Sequence, residues 1–323
     1  MKFAFVFPGQ GSQSVGMLSD LLDQDPVQTV LDQAQTALGQ NITQLITQGP
    51  AEELALTLNT QPIMLTMGIA VYRAWQAAGG PTPTLMAGHS LGEYTALVAA
   101  NTFDFVTAIK LVRFRAQAMQ DAIPVGAGGM AAILGLNTQL VQEICREVST
   151  TSLVEAVNFN APEQTVIAGT PSGITAACDL ARTKGAKRAL PLPVSAPFHS
   201  SLMAPASVRL REYLNQITCA TPTIPVINNV DVQIEQNTDA IKTALVRQAS
   251  SPVRWIETIQ AMAAQGITHI IECGPGKVLT GLTKRIAPEI VSMAIIDQAS
   301  LTQALTLVSS GSSSIALREG EVR

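Results

Sequence analysis

The most constraining feature of this sequence is a glycine-flanked serine, GHSLG at positions 88–92, which separates a strand pattern from a helix pattern. Residues 84–87 before it form a brief apolar run, and the residues from 90 onward, SLGEYTALVAA, have the composition and spacing of a helix. A G-x-S-x-G segment between a strand and a helix predicts a sharp turn that presents the serine at the edge of a sheet. The segment therefore favours an α/β fold.

Strand and helix signals alternate along much of the remaining chain. Residues 3–7 are a short aromatic and apolar run that stops at a Pro-Gly pair, and residues 61–78 carry apolar side chains at helical spacing before two glycines. Two further strand signals, at 226–229 and 269–272, flank a helix signal at 255–265. This alternation predicts a mostly parallel central sheet covered by helices.

The middle of the chain follows a different order. After a loop rich in Gly and Pro, the signals follow the βαββαβ order of a ferredoxin-like unit. They are a strand at 130–134, a helix at 138–148, strands at 154–158 and 165–168, a helix at 174–184 and a strand at 186–192. We therefore predict a large α/β subdomain from residues 1–125 and 195–308, and an inserted ferredoxin-like small subdomain from residues 126–194. Residues 309–323 are rich in Ser and Gly and lack apolar periodicity, so they are predicted to be a disordered tail or a linker.

Composition excludes several classes of function. Apolar residues make up 47% of the 323 residues and charged residues 14%, which allows a large buried core. The formal net charge is −4 and no long basic run occurs, so nucleic acid is not expected as a partner. No stretch approaches the roughly 18 to 20 unbroken apolar residues of a membrane span, and no cleavage site follows the apolar N-terminus. The four cysteines are far apart, so neither a metal site nor a disulfide framework is predicted, and the expected compartment is the cytoplasm.

Ser90 is the candidate nucleophile of this chain. The turn would hold its hydroxyl out of the sheet, and the following helix would direct its positive end at the reacting oxygen. The alternative is a serine that only caps the helix, with glycines needed only for the turn. A nucleophilic serine also requires a base, and the sequence contains three histidines.

His199 is the candidate general base, because it lies in a Pro-containing loop just after the predicted small subdomain. A surface or helix-capping histidine is the alternative for this position. His89 adjoins Ser90 and is expected to orient the turn or line the pocket, whereas His269 lies in an apolar strand pattern and is interpreted as a sheet residue. No carboxylate near either motif stands out, so the residues alone predict a Ser–His dyad whose histidine is held by a side-chain amide or a backbone carbonyl.

Several segments of the chain, taken in order, resemble one family of enzymes. They are FVFPGQGSQ at 5–13, GHSLGEYTAL at 88–97, RFRAQAM at 113–119, NFNAP at 158–162, FHSSLM at 198–203 and GPGKVLTGL at 274–282. Together they closely resemble the malonyl-CoA:acyl carrier protein transacylases of type II fatty acid synthesis and the acyltransferase domains of modular synthases, over about residues 1–300. The resemblance implies an α/β-hydrolase-like large subdomain and a ferredoxin-like small one, in agreement with the division above.

The resemblance also implies catalytic roles for individual residues. Ser90 would be the acylated nucleophile and His199 the base, with the backbone carbonyl of Gln248 orienting the histidine. Gln10 and Leu91 would donate backbone N–H groups to the oxyanion, where each donor typically contributes about 10²- to 10³-fold to the rate.

Substrate recognition is implied by the same resemblance. Arg115 matches the family arginine that binds the free carboxylate of malonyl, and a planar guanidinium suits a carboxylate; the residues alone favour an ordinary surface helix arginine instead. Phe198 would narrow the pocket, and Asn160, like Asn158, would face the cleft, with His89 as a further lining residue.

The partners implied by the resemblance are malonyl-CoA and an acyl carrier protein, with no metal or redox cofactor, no membrane and a monomeric state. Because carrier proteins of this family are acidic, a basic rim is expected, with solvated helix charges as the alternative. The candidates for this rim are Lys184, Lys187, Arg188, Lys277, Lys284 and Arg285. The runner-up function is a serine hydrolase or thioesterase, and a third is a non-catalytic module that binds the carrier.

Overall fold

The computed structural model describes residues 1–194 and 196–316 of the chain. Within these residues the strands are β1 Phe3–Phe7, β2 Leu85–Gly88, β3 Gly129–Leu134, β4 Val154–Ala161, β5 Gln164–Gly169, β6 Arg188–Pro191, β7 Val226–Ile227, β8 His269–Cys273 and β9 Val291–Ile295. The helices are α1 Asp25–Leu38, α2 Ile42–Gln48, α3 Ala51–Ala55, α4 Thr57–Ala77, α5 Leu91–Ala99, α6 Phe105–Gln120, α7 Thr138–Val148, α8 Pro171–Thr183, α9 Ala204–Asn215, α10 Thr238–Gln248, α11 Trp255–Ala264, α12 Val278–Ile286 and α13 Gln298–Ala316.

The larger sheet has five strands in the order β7-β2-β1-β8-β9. Its central strand β1 pairs in parallel with both β2 and β8, and β8 pairs in parallel with β9. Every residue of β1 is buried, because the strand is covered on both faces, and this is why it is a continuous apolar run. Phe5 packs edge to face on Trp75 of α4, with ring centroids 5.1 Å apart. The predicted parallel sheet is confirmed.

The smaller sheet has four strands in the order β4-β5-β3-β6, and each neighbouring pair is antiparallel. Helices α7 and α8 supply apolar side chains such as Ile144 and Ile174 to a core shared with Ile133 and Ile167 of the sheet. The element order along the chain is βαββαβ, as predicted for a ferredoxin-like unit. The predicted fold class, a parallel α/β unit with a ferredoxin-like insertion, is therefore confirmed.

The Cα positions divide the chain into two compact units. The first unit is Met1–Lys110, Pro222–Val226 and Met262–Arg323, and the second unit is Leu111–Thr221 and Ile227–Ala261. The second unit thus contains α9 and α10 besides the ferredoxin-like sheet, whereas the sequence assigned both helices to the large subdomain. The subdomain boundaries at 125, 195 and 308 stay a prediction.

Helix α13 extends to Ala316, which differs from the tail without regular structure expected from residue 309. The helix begins at a cap in which the Ser300 backbone N–H donates to Asp297 Oδ1 at 2.7 Å. Adding residues to an existing helix costs much less than starting one, so a segment with weak intrinsic preference can continue it. The remainder of the predicted tail, residues 317–323, lies outside the described residues. Across residues 1–194 and 196–316, no helix combines the length and the hydropathy needed to cross a membrane.

Candidate active site

The turn that carries Ser90 has strained backbone geometry. Ser90 lies between β2 and α5 with φ 53° and ψ −108°, a backbone conformation that residues other than glycine rarely adopt. The flanking glycines are required by close packing, because a Cβ at Gly88 would lie 1.9 Å from the Gly92 carbonyl. A Cβ at Gly92 would lie 2.0 Å from the Phe7 carbonyl oxygen. Strain of this kind costs about 1 to 3 kcal/mol and is typical of functional sites.

The Ser90 side chain does not serve as a helix cap. Ser90 occupies the N-cap position of α5, yet its side chain makes no capping hydrogen bond. The structure therefore does not support the alternative in which this serine exists only to cap the helix. Leu91 is the first residue of α5, so its backbone N–H belongs to the first turn, where N–H groups have no partner within the helix.

The loop that carries Gln10 leaves the sheet beside the Ser90 turn. Strands β1 and β2 are parallel neighbours with Phe7 opposite Gly88, so the chain leaves both strands at the same edge of the sheet. The two loops are in backbone contact, because a Cβ at Gly9 would lie 2.5 Å from the His89 carbonyl oxygen. The sequence-predicted residues Gln10, His89, Ser90 and Leu91 are thus brought together at this edge of the first unit.

A buried carboxylate, which no sequence motif singled out, supports the same edge of the sheet. Glu272, the last but one residue of β8, is fully buried and accepts hydrogen bonds from the backbone N–H groups of Leu279 at 3.1 Å and Thr280 at 2.8 Å. Burial raises the pKa of Glu272, and these backbone hydrogen bonds partly oppose that effect. A Cβ at Gly274 would lie 3.0 Å from Pro8 Cδ, so the loop held by Glu272 packs against the loop of Gln10.

In the second unit, the predicted general base His199 is buried and oriented by a hydrogen bond. It is 4% exposed, its φ is 66°, and its ring Nδ1 lies 2.7 Å from the carbonyl oxygen of Gln248. A carbonyl oxygen only accepts, so Nδ1 carries a proton, and in the neutral ring the lone pair is then on Nε2, which is the tautomer a general base requires. Gln248 is the last residue of α10, where carbonyl groups lack partners within the helix.

The His199 loop is fixed by one hydrogen bond to β4 and one within the loop itself. The Ser201 backbone N–H donates to Glu155 Oε2 at 2.6 Å, and the Ser200 hydroxyl donates to the Pro197 carbonyl at 2.7 Å. Phe198, just before the histidine, is buried. These contacts restrict the loop to few backbone conformations and maintain the positive φ of His199.

Arg115 is not a surface arginine, although the residues alone favour that interpretation. Only 1% of it is exposed, which places it among the largest fully buried side chains of the described residues. Its Nη2 donates to the side-chain Oε1 of Gln248 at 2.9 Å. The interpretation as a solvated helix charge is wrong, because α6 turns this residue inward.

The second unit therefore brings together His199, Gln248 and Arg115. Asn160 lies half-buried on β4, and its role, like the pocket-lining roles of Phe198 and His89, stays a prediction. In the described part of the chain, no group of three or more His, Cys, Asp or Glu side chains is arranged to hold a metal ion.

A parallel sheet with a strained serine at its carboxyl edge, combined with a ferredoxin-like unit, defines an α/β acyl-transfer enzyme. The sequence model described as "Acyl transferase domain" matches residues 4–300. The malonyl CoA-acyl carrier protein transacylase of Escherichia coli strain K12 is 51% identical over 307 residues, which cover 95% of this chain and 99% of that protein. The chain belongs to the malonyl-CoA:acyl carrier protein transacylase family and is an acyltransferase.

Further relatives agree with this assignment. The malonyl CoA-acyl carrier protein transacylase of Bacillus subtilis is 44% identical over 306 residues, covering 94% of this chain and 96% of that protein. The crystal structure of an acyl-carrier-protein S-malonyltransferase from Burkholderia pseudomallei 1710b superposes with a TM-score of 0.94 at 63% identity, covering 95% of this chain and 100% of that one. The family resemblance inferred from the six sequence segments is confirmed.

Proposed function

We propose that the chain transfers a malonyl group from malonyl-CoA to the phosphopantetheine thiol of an acyl carrier protein, through an ester on Ser90. The names of the relatives support the substrates. A carrier protein as partner is supported by the structure of a type II PKS acyl-carrier protein in complex with its malonyl-transacylase. That structure matches this chain with 49% sequence identity and a TM-score of 0.93. The strained backbone of Ser90, with a side chain that does not cap α5, is the single observation that carries the proposed acyl-enzyme.

In the first half-reaction, Ser90 Oγ attacks the thioester carbon while His199 Nε2 takes the hydroxyl proton. The carbonyl oxygen becomes an oxyanion stabilised by the backbone N–H groups of Gln10 and Leu91. Collapse of this intermediate breaks the C–S bond, and the departing coenzyme A sulfur receives the proton from His199. The products are a malonyl ester on Ser90 and the free thiol.

In the second half-reaction, the carrier thiol gives its proton to His199 and attacks the ester carbon. A second oxyanion forms and collapses, the C–O bond to Ser90 breaks, and His199 returns the proton to the serine oxygen. The order of events is therefore ping-pong. The Nδ1 contact of His199 is a neutral carbonyl, which strengthens the base less than a carboxylate would. A base of this strength favours the carrier thiol over water, because a thiol is much the stronger acid.

Arg115 is proposed to select malonyl through its distal carboxylate. The buried guanidinium can bind the carboxylate of a malonyl group, whereas an acetyl group has no carboxylate to offer it. Planar donors that can form two parallel hydrogen bonds add geometric selectivity.

The docking surface for the carrier protein stays a proposal. Lys184 pairs with Glu147 at 3.2 Å and Lys187 pairs with Glu163 at 3.1 Å, so two of the candidate basic residues already have acidic neighbours. Exposed pairs of this kind contribute little stability and can exchange partners. The monomeric state, the cytoplasmic location and the independence from cofactors likewise stay predictions.

Intact-mass measurement after incubation with malonyl-CoA tests the acyl-enzyme. The unmodified chain should gain the mass of one malonyl group, Ser90→Ala should gain none, and the exposed control Ser172→Ala should label like the parent chain. An adduct that persists in Ser90→Ala would refute the assignment. Release of coenzyme A with and without carrier protein separates the alternatives, because a hydrolase would turn over continuously without an acceptor.

A further inference from the structure

Gln248 contacts two proposed site residues through two different groups. Its backbone carbonyl accepts from His199 Nδ1 at 2.7 Å, and its side-chain Oε1 accepts from Arg115 Nη2 at 2.9 Å. Gln248 is 0% exposed, so both contacts are made away from water. Substitution of the residue alters only the second contact directly, because every amino acid retains the backbone carbonyl.

The side-chain amide suits the support of a guanidinium that must bind an anion. Its oxygen accepts a hydrogen bond from Arg115 and so restricts rotation of the guanidinium plane, while the positive charge is left in place. A carboxylate at position 248 would also accept this bond, but it would neutralise the arginine and compete with an incoming carboxylate. An apolar side chain would remove the bond and leave the orientation of the plane less restricted.

We propose that the side-chain amide of Gln248 is a positioning element that fixes the Arg115 guanidinium for the carboxylate of the acyl group, and thereby sets selectivity for a dicarboxylic acyl chain. This inference rests on the proposed function, in which Arg115 binds that carboxylate. The same residue then aligns the base through its backbone and the selectivity arginine through its side chain.

The test is the ratio of acylation efficiencies, kcat/KM, for malonyl-CoA and acetyl-CoA in the full-length chain. Loss of a hydrogen bond to a charged group corresponds to roughly a 10- to 100-fold effect, so Gln248→Met should lower the malonyl-to-acetyl ratio by about that factor. Gln248→Glu should lower the ratio at least as far, through competition by a resident carboxylate. Gln139→Met, an exposed glutamine on α7, is the matched control and should keep the parent ratio.

Two further measurements distinguish a failure of the positioning role of Gln248 from a failure of carboxylate binding by Arg115. Arg115→Ala should itself lower the ratio; if it does not, the proposed carboxylate recognition fails. If Arg115→Ala lowers the ratio and Gln248→Met and Gln248→Glu both retain it, the positioning role alone is overturned. The pH dependence of acylation by acetyl-CoA reports on His199, and a shifted profile together with an unchanged ratio would assign Gln248 to the base only. Should Gln248→Met not fold, Gln248→Ala takes its place in the same comparison, because it also removes the side-chain acceptor and keeps the backbone carbonyl.

Discussion

Replacement of Gly92 by alanine is the sharpest test of how the Ser90 turn is built. Gly92 is in the first turn of α5, and a Cβ there would lie 2.0 Å from the Phe7 carbonyl oxygen, 2.7 Å from the Phe7 carbonyl carbon and 3.1 Å from the Pro8 carbonyl oxygen. All three atoms belong to the backbone of β1 and the Gln10 loop. No side-chain rotation can relieve these contacts.

The magnitude follows from competition between two effects. Alanine is more favourable than glycine in a helix by about 1 kcal/mol, so the substitution would stabilise α5 if no neighbouring atom were close to the new Cβ. To bring the shortest contact from 2.0 Å to the 3.4 Å of ordinary van der Waals contact, α5 and β1 must separate by about 1.4 Å. Overpacking of this kind costs about 1 to 3 kcal/mol or more, so net destabilisation is expected. Oxyanion donors tolerate only a few tenths of an ångström, and loss of one donor lowers the rate by about 10²- to 10³-fold.

The assay combines urea unfolding with the rate of malonyl transfer. Gly281→Ala provides the matched control, because Gly281 also lies in a helix, α12, with no atom within 4 Å of an added Cβ. This control should be stabilised by up to about 1 kcal/mol and should retain the parent rate. A Gly92→Ala chain as stable as the parent, with a transfer rate within threefold of it, would refute the argument from close packing.

Two other predictions concern buried titratable groups. Burial raises the pKa of Glu272 above its ordinary 4.5, so the folded chain binds the carboxyl proton more tightly than the unfolded chain. The protonated carboxyl therefore contributes most to the free energy of unfolding below pH 4.5, and this contribution falls as the pH rises through the raised pKa. Unfolding free energies measured from acid to neutral pH should therefore show a weaker fall for Glu272→Gln, and parallel curves would contradict the assignment. Burial raises the pKa of the Cys145 thiol to about 12, so iodoacetamide at pH 8 should modify the half-buried Cys219 before Cys145, and peptide mass spectrometry showing the reverse order would contradict the described burial.

The sequence predicts most accurately those elements whose signals are local. The helix expected at 138–148 is α7 with the same bounds, because Asn137 caps it and its apolar residues lie on one face. The strand order of the ferredoxin-like unit follows from the same kind of pattern, with ends shifted by one to three residues. The Ser90 turn was also predictable, since GHSLG contains the glycines that its close contacts require.

Features that depend on distant parts of the chain could not be predicted in this way. Strand β9 is a half-exposed segment that becomes a strand through pairing with β8, and its own pattern is weak. The burial of Arg115 could not be predicted from the sequence of α6, because this helix lacks a strong apolar stripe. The hydrogen bond from Arg115 to Gln248 joins residues 133 positions apart. The structural role of Glu272 had one local signal, an acidic residue at the end of an apolar strand, but its partners in α12 come from the fold.

The groups proposed for catalysis share a physical pattern that bears on how transfer outcompetes hydrolysis. His199 is held by an uncharged carbonyl at the end of α10, and Arg115 is held by an uncharged amide of the same residue. Both of these acceptors are uncharged, so neither of them neutralises the guanidinium or places an anion against the imidazole. A carboxylate behind the histidine, as in hydrolytic triads, would strengthen the base toward water. The use of one glutamine, rather than an acid, at both contacts thus fits the proposed reaction, in which an acidic acyl group is held as an ester on Ser90 until a thiol arrives.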